Sequence, residues 1–159
     1  GDVRLTGPRA SFSNVSTDVT TGAYYTLLSI RNNLVHNHAG TVDRANQSVV
    51  YILSFGGAHD DATPITYYLL RNATLLGTPN WTRWSTNSCI HYDIAATTAT
   101  IADNGQIVQT LPVSQGGSII IPLEDTTTLQ PGETLTIAAS TVTGTSTFTI
   151  ATLNTREDQ

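Results

Sequence analysis

The chain has 159 residues and a formal net charge of −5, with seven arginines, no lysine and no methionine. Neutralising the phosphates of a nucleic acid needs a dense row of basic side chains, so this composition excludes nucleic acid as the main ligand. No stretch of about 18 apolar residues occurs, which predicts that no segment spans a membrane. The single cysteine, Cys89, excludes an internal disulfide, and we expect it to be a small buried strand residue.

The first 20 residues differ from the rest of the chain, because a few apolar residues are scattered among glycine, proline and polar residues. The segment is too apolar for a solvated tail and too irregular for a regular strand. We therefore expect an extended amino-terminal arm over residues 1–20 that packs on a neighbouring subunit. Its candidate contact residues are Arg4, Arg9 and Phe12, since arginine pairs with carboxylates and Phe12 supplies apolar area.

Residues 21–159 are predicted to form a single β-sandwich domain. Threonine occupies 28 positions, and in segments such as 133–139 and 145–153 polar and apolar residues alternate with period two. This alternation is typical of half-buried antiparallel strands.

Strands 23–30 and 48–55 begin a series of about eight to ten, separated by turn signals at the spacing of a sandwich or barrel. No segment offers the helical crossover that parallel strands usually need. The predicted fold class is all-β, an antiparallel two-sheet sandwich that is jelly-roll-like. The expected core residues are Leu27, Val50, Ile52, Leu69, Ile120, Leu135, Ile137 and Ile150.

From Tyr67 onward, the order of elements resembles a β-sandwich domain found in structural proteins of tailed bacteriophage virions. The resemblance covers a little over half of the chain. It is carried by residues 71–75, 77–79 with Trp81, 87–88 before 91–93, and 129–137.

This resemblance implies a non-enzymatic structural protein located in the virion, which decorates the capsid or forms part of a head or tail fibre. The implied partners are other coat or tail subunits, and the implied state is a homo-oligomer, with a trimer expected. It implies no catalytic residue, and no cofactor is expected.

Two tryptophans support an alternative function, a carbohydrate-binding or receptor-binding module. Exposed Trp81 and Trp84 side chains would stack on the sugar rings of a host glycan. Residues three apart on a strand face opposite sides of the sheet, so we expect one of the two tryptophans in the core and at most one at the surface.

A histidine pair supports a third alternative, a cupin-like metal-binding protein. On a strand His36 and His38 would project from one face, and Asp43 would supply a third ligand. The pattern is similar to part of the first cupin motif, a histidine pair followed by an acidic residue. However, the glycine before the pair is absent, aspartate replaces the usual glutamate, and no second-motif histidine follows, so no bound metal is expected.

Overall fold

The computed structural model describes residues 9–16, 19, 24–36, 44–75, 78–85, 88–94, 101–103, 105–141, 144 and 148–158. Over these ranges the chain forms fourteen β-strands and no helix. It accordingly contains no helix there that is long and apolar enough to cross a membrane. The strands are β1 (Arg9–Ser16), β2 (Tyr25–Asn32), β3 (Val35–His36), β4 (Arg44–Ala45), β5 (Val49–His59), β6 (Ile65–Arg71), β7 (Thr74–Leu75), β8 (Thr82–Arg83), β9 (Ile90–Asp93), β10 (Ile101–Asp103), β11 (Gln106–Val113), β12 (Ser118–Leu129), β13 (Thr134–Thr141) and β14 (Thr149–Asp158).

Eight of these strands pair as one long antiparallel hairpin that is rolled up. The pairs are β1 with β14, β2 with β13, β5 with β12, and β6 with β11. Successive pairs alternate between two sheets, which gives the order β1-β14-β5-β12 in the first sheet and β11-β6-β13-β2 in the second. This arrangement is the double Greek key of a jelly roll. The predicted all-β antiparallel two-sheet sandwich is therefore confirmed.

The connection between β6 and β11 carries an insertion that widens the second sheet. From this insertion β9 pairs with β2, and β8 pairs with β9, which extends the sheet to six strands. Two small ladders, β7 with β10 and β3 with β4, lie outside the main sheets. The insertion places β9 next to β2 and β8 next to β9, where several candidate binding residues meet.

The interior between the sheets is filled with apolar side chains from both of them. Two of the expected core residues are not inside: Ile120 is 58% exposed, and Ile150 is partly exposed. Strand alternation turns Ile121 toward the core and Ile120 to the outer face of β12. In β14 the buried neighbours of Ile150 are Thr149 and Ala151, so Ile150 faces out. The expected core residues that are buried are Leu27, Val50, Ile52, Leu69, Leu135 and Ile137.

The first strand of the sandwich starts well before residue 23. Residues 9–16 form β1, which pairs along its whole length with β14 of the same chain. Phe12 is only 3% exposed and packs in the core. Its expected role as a contact to a neighbouring subunit is therefore corrected, because the side chain is covered by its own domain.

An inward-facing amide explains why the sequence pattern hid β1. Alternate residues of β1 face inward, and after Ala10 and Phe12 the next of them is Asn14. The Asn14 amide donates a hydrogen bond to the Leu27 carbonyl at 2.7 Å. A polar residue at that position interrupts the apolar alternation. Residues 1–8, including Arg4, lie outside the described residues, so an arm of that length stays a prediction.

Tyr67 connects the two sheets across the core. Its ring reaches from β6 to β5, where Gly57 leaves room for it: a Cβ atom at Gly57 would lie 2.5 Å from the Tyr67 Cζ atom. The phenol donates a hydrogen bond to the Ala58 carbonyl at 3.0 Å and is hydrogen-bonded to the Thr149 hydroxyl. Burial raises the pKa of Tyr67 to about 12, so the phenol keeps its proton well above neutral pH. The second sheet is thereby tied to both central strands of the first.

The Gly57→Ala substitution is expected to destabilise the domain by about 1–3 kcal/mol, because the new methyl group overlaps the Tyr67 ring. In a Tyr67→Leu background the same substitution should cost clearly less, because the smaller side chain leaves space for the methyl group. Urea unfolding of wild type, both single variants and the double variant measures this coupling. Equal costs in the two backgrounds would show that Gly57 does not serve to accommodate Tyr67.

Candidate interaction surfaces

The predicted metal ligands fall largely outside the described residues. His36 ends β3, with its backbone opposite Arg44 of β4, but its side chain and the whole of His38 and Asp43 are not described. Within the described ranges, no three His, Cys, Asp or Glu side chains are grouped so that they could hold a metal ion. The cupin-like alternative therefore stays a prediction.

Both tryptophans reach the surface, so the expectation that one of them lies in the core is wrong. Trp84 is 40% exposed, and its ring packs against those of Phe12 and Tyr92 at centroid distances of 4.8 and 6.0 Å. Trp81 is partly exposed and covers the guanidinium of Arg31 at 4.7 Å. The two-residue strand between them, β8, lies at the edge of the sheet. Neither tryptophan is therefore enclosed between two sheets.

Trp84 lines a groove of ≈ 400 Å³ beside β1. The groove combines an aromatic face with the Arg9 guanidinium and the Asn154 amide, groups that can stack on a ring and hydrogen-bond its hydroxyls. Sequence reasoning had singled out Arg9 and Trp84 for different roles, and the fold brings them to one place. The lining residues are Arg9, Ala10, Ser11, Leu53, Trp84, Asn154 and Thr155.

An apolar surface, the β12 edge surface, is formed by Ile119, Ile120 and Ile150. The first two are 41% and 58% exposed on β12, the last strand on one side of its sheet. The residues opposite them on β5 are the glycines at 56 and 57. A groove of ≈ 280 Å³ is bordered by all three isoleucines and by Gly57. Exposed apolar residues on an open strand edge favour association with another chain.

Sequence reasoning missed the β12 edge surface because it placed Ile120 in the core. One signal in the sequence pointed the other way. Pro122 follows three consecutive isoleucines, and proline within a strand is largely confined to edge strands or bulges. Both conditions hold here, since β12 is an edge strand and its pairing with β5 shifts register just after Pro122.

Three basic residues lie in a row on the outer face of the second sheet, and we call them the basic row: Arg31, His91 and Arg83. His91 of β9 is paired with Arg31 of β2 on one side and with Arg83 of β8 on the other. Directly opposite residues of antiparallel strands project from the same face. Burial lowers the pKa of His91, and the two neighbouring guanidinium groups lower it further. Sequence reasoning did not group these residues, because the pairing joins distant segments.

A buried carboxylate holds the start of β9 in place. Glu157 of β14 is fully buried and accepts hydrogen bonds from the Ser88 hydroxyl and the Cys89 backbone N–H, both at 2.6 Å. The Ser88 oxygen in turn accepts from the Ile90 N–H at 3.0 Å. Cys89 is buried as predicted, and burial raises the pKa of its thiol. This network connects the strand that carries His91 to the last strand of the opposite sheet.

Substituting Glu157 by alanine is expected to lower the free energy of unfolding by about 1–3 kcal/mol, because two donors at a buried position lose their acceptor. Asp158→Ala, which removes the partly exposed carboxylate next in sequence, is the matched control and should have a much smaller effect. Chemical denaturation of both variants measures the difference. Equal losses would mean that the Ser88 and Cys89 hydrogen bonds contribute little to stability.

No protein-family model matches the chain, and no curated protein matches it in sequence. Solved structures match over nearly its whole length, but at low similarity. A chain from the structure of deformed wing virus, a honeybee pathogen, is 6% identical with a TM-score of 0.38, and the match covers 96% of this chain and 48% of that one. This chain therefore spans about half the length of that virus chain.

Two further structures show a similar level of likeness. A chain of turnip yellow mosaic virus is 11% identical with a TM-score of 0.28, over 97% of this chain and 82% of that one. IMPa from Pseudomonas aeruginosa, in complex with an O-glycopeptide, is 11% identical with a TM-score of 0.29, over 98% of this chain and 14% of that one. All three TM-scores are low, and no functional conclusion rests on them.

Proposed function

We propose that the chain is a non-enzymatic structural subunit of a virus particle, which binds neighbouring subunits through its outer surface. The observation that carries the proposal is the β12 edge surface. Apolar side chains on an open strand edge are unfavourable in water and invite pairing with another chain, so such an edge suits a protein that works in an assembly. The contact would cover Ile119, Ile120 and Ile150.

The fold is compatible with this role but does not select it. Jelly rolls serve as viral capsid domains, as lectin domains and as cupins, so function has to be argued from the surface and the interior. In the described part of the chain the interior is packed with apolar side chains, and the Tyr67 phenol there is hydrogen-bonded to Ala58 and Thr149. These contacts support a function located on the outside.

The sequence resemblance supports a more specific role for the chain. We place the chain in the virion of a tailed bacteriophage, in a capsid-decoration, head-fibre or tail-fibre role, with coat or tail subunits as partners and a homotrimer as the expected state. The two virus structures described above are not from bacteriophages, so this assignment depends on the resembling segments, above all 71–75 and 129–137. Residues 1–8 with Arg4, and the exposed Arg9, are proposed as additional subunit contacts.

The Ile120→Asp substitution is expected to weaken self-association about tenfold or more, because it brings a charge into an apolar contact. Since Ile120 is largely exposed, the domain should remain folded. Ile107→Asp is the matched control, because Ile107 is an exposed isoleucine on β11, an edge strand of the other sheet. Sedimentation velocity over a range of concentrations measures association. A wild-type chain that stays monomeric, or equal weakening by both variants, would contradict the proposal.

The groove beside Trp84 favours a second function, a carbohydrate-binding or receptor-binding module that contacts a host glycan. A screen of immobilised glycans should then show binding that is lost in Trp84→Ala and weakened in Arg9→Gln, because both side chains line the groove. Arg44→Gln is the control, since Arg44 is an exposed arginine on β4. If the wild-type chain binds no glycan on the screen, the proposal of a glycan-binding function is contradicted.

A further inference from the structure

The basic row brings together three side chains of the same charge type. Arg31 and Arg83 flank His91 on the same face, and a protonated His91 would be repelled by both, because like charges placed directly opposite one another are destabilising. The Arg31 Nε atom is buried and has no hydrogen-bond partner in the described part of the chain. A buried donor without an acceptor is unfavourable, since guanidinium nitrogens normally find one. The basic row therefore carries positive charge, and one of its buried donors, the Arg31 Nε–H, has no acceptor in the described part of the chain.

The orientation of Arg31 is fixed by an aromatic ring. Trp81 covers its guanidinium at 4.7 Å from the ring centroid, a stacking that suits the planar arginine group and excludes water from one side of it. With one face covered, the N–H groups at the edge of the guanidinium remain the part that can meet a ligand. Planar guanidinium edges bind oxyanions through two parallel hydrogen bonds.

The same tryptophan joins the basic row to a groove. Trp81 lines a groove of ≈ 270 Å³ over the outer face of β2 and β13, and the groove is also lined by Thr74, Pro79 and Thr134. Threonine hydroxyls can donate and accept hydrogen bonds, and the tryptophan and proline rings offer apolar contact. A ligand held by its acidic group at the basic row would have room for its remaining atoms there.

We propose that Arg31, His91 and Arg83 form a binding site for an oxyanion, namely the sulfate, phosphate or carboxylate group of a ligand whose other atoms lie in the groove beside Trp81. An anion placed over the row would offset the repulsion that a protonated His91 meets from both guanidinium groups, and it would accept hydrogen bonds from the edge N–H groups of Arg31. The site lies on the outer face of the second sheet. It is separate from the β12 edge surface and from the groove beside Trp84, so it does not depend on the proposed assembly role.

Isothermal titration calorimetry of the full chain with inorganic sulfate and with a sulfated disaccharide tests the site. We expect both probes to bind, the disaccharide more tightly because its ring enters the groove, and added sodium chloride to weaken both. Equal affinity for the two probes, or binding of sulfate alone, would keep the oxyanion site but contradict the groove beside Trp81 as the place of the ligand's other atoms. Binding of neither probe would overturn the proposal.

Substitutions show whether binding occurs at the basic row. Arg31→Gln should weaken binding about tenfold or more, and His91→Gln should do so below the His91 pKa, where the imidazole is charged. Circular dichroism checks that both variants are folded. Arg44→Gln removes one charge from an exposed arginine on β4, outside both main sheets, and should change affinity less than about twofold. If Arg44→Gln weakens binding as much as Arg31→Gln, the effect is one of net charge and the proposal fails.

A measurement on the unsubstituted chain avoids any loss of folding. The charged groups that face His91 are Arg31 of β2 and Arg83 of β8, with Asp93 two residues along its own strand. A bound oxyanion favours the protonated imidazole, so saturating sulfate should raise the pKa of His91, as followed by NMR of the ring. By linkage, affinity should increase as the pH falls through the His91 pKa, which lies below its ordinary value of about 6.5. An unchanged pKa would contradict binding at this row.

Discussion

The structure depends on one contact across its interior, the ring of Tyr67 lying over Gly57. Two sheets that pack face to face leave a core about 10 Å thick, and a ring that crosses it needs an opposite position without a side chain. The phenol is then satisfied by the Ala58 carbonyl and the Thr149 hydroxyl. Since the interior is filled in this way, the features with binding potential in the described chain are edges, grooves and outer faces.

The fold class could be predicted from the sequence because period-two alternation is a local property. All of segment 133–139 except its first residue lies in β13, with Leu135 and Ile137 inside as expected. Local alternation fails where neighbouring positions are all apolar, as at the three isoleucines before Pro122, because only the sheet position decides which of them faces out. It also fails where an amide takes an inward place, as Asn14 does by bonding the Leu27 carbonyl.

The candidate surfaces were less predictable, because they depend on pairings between distant segments. The tryptophans could be recognised as candidate binding residues from their type alone. The groove beside Trp84, however, forms only because the fold brings Arg9 of β1 and Asn154 of β14 next to that ring. In the same way, the basic row exists only because β9 pairs with β2 in one particular register. A shift of that register by one residue would turn His91 to the opposite face of the sheet. Sequence reasoning supplies residue types, and the register determines which of them act together.

The central claim is that the edge of β12, which has no neighbouring strand in the described part of the chain, is covered by another subunit. Hydrogen–deuterium exchange of the backbone amides, compared between dissociated and associated protein, tests it most directly. Slower exchange over residues 118–121 in the associated state is the predicted result, with unchanged exchange along the edge strand β11 of the other sheet. Identical exchange of β12 in both states would contradict the claim, and protection of β11 instead would place the subunit contact on the other sheet.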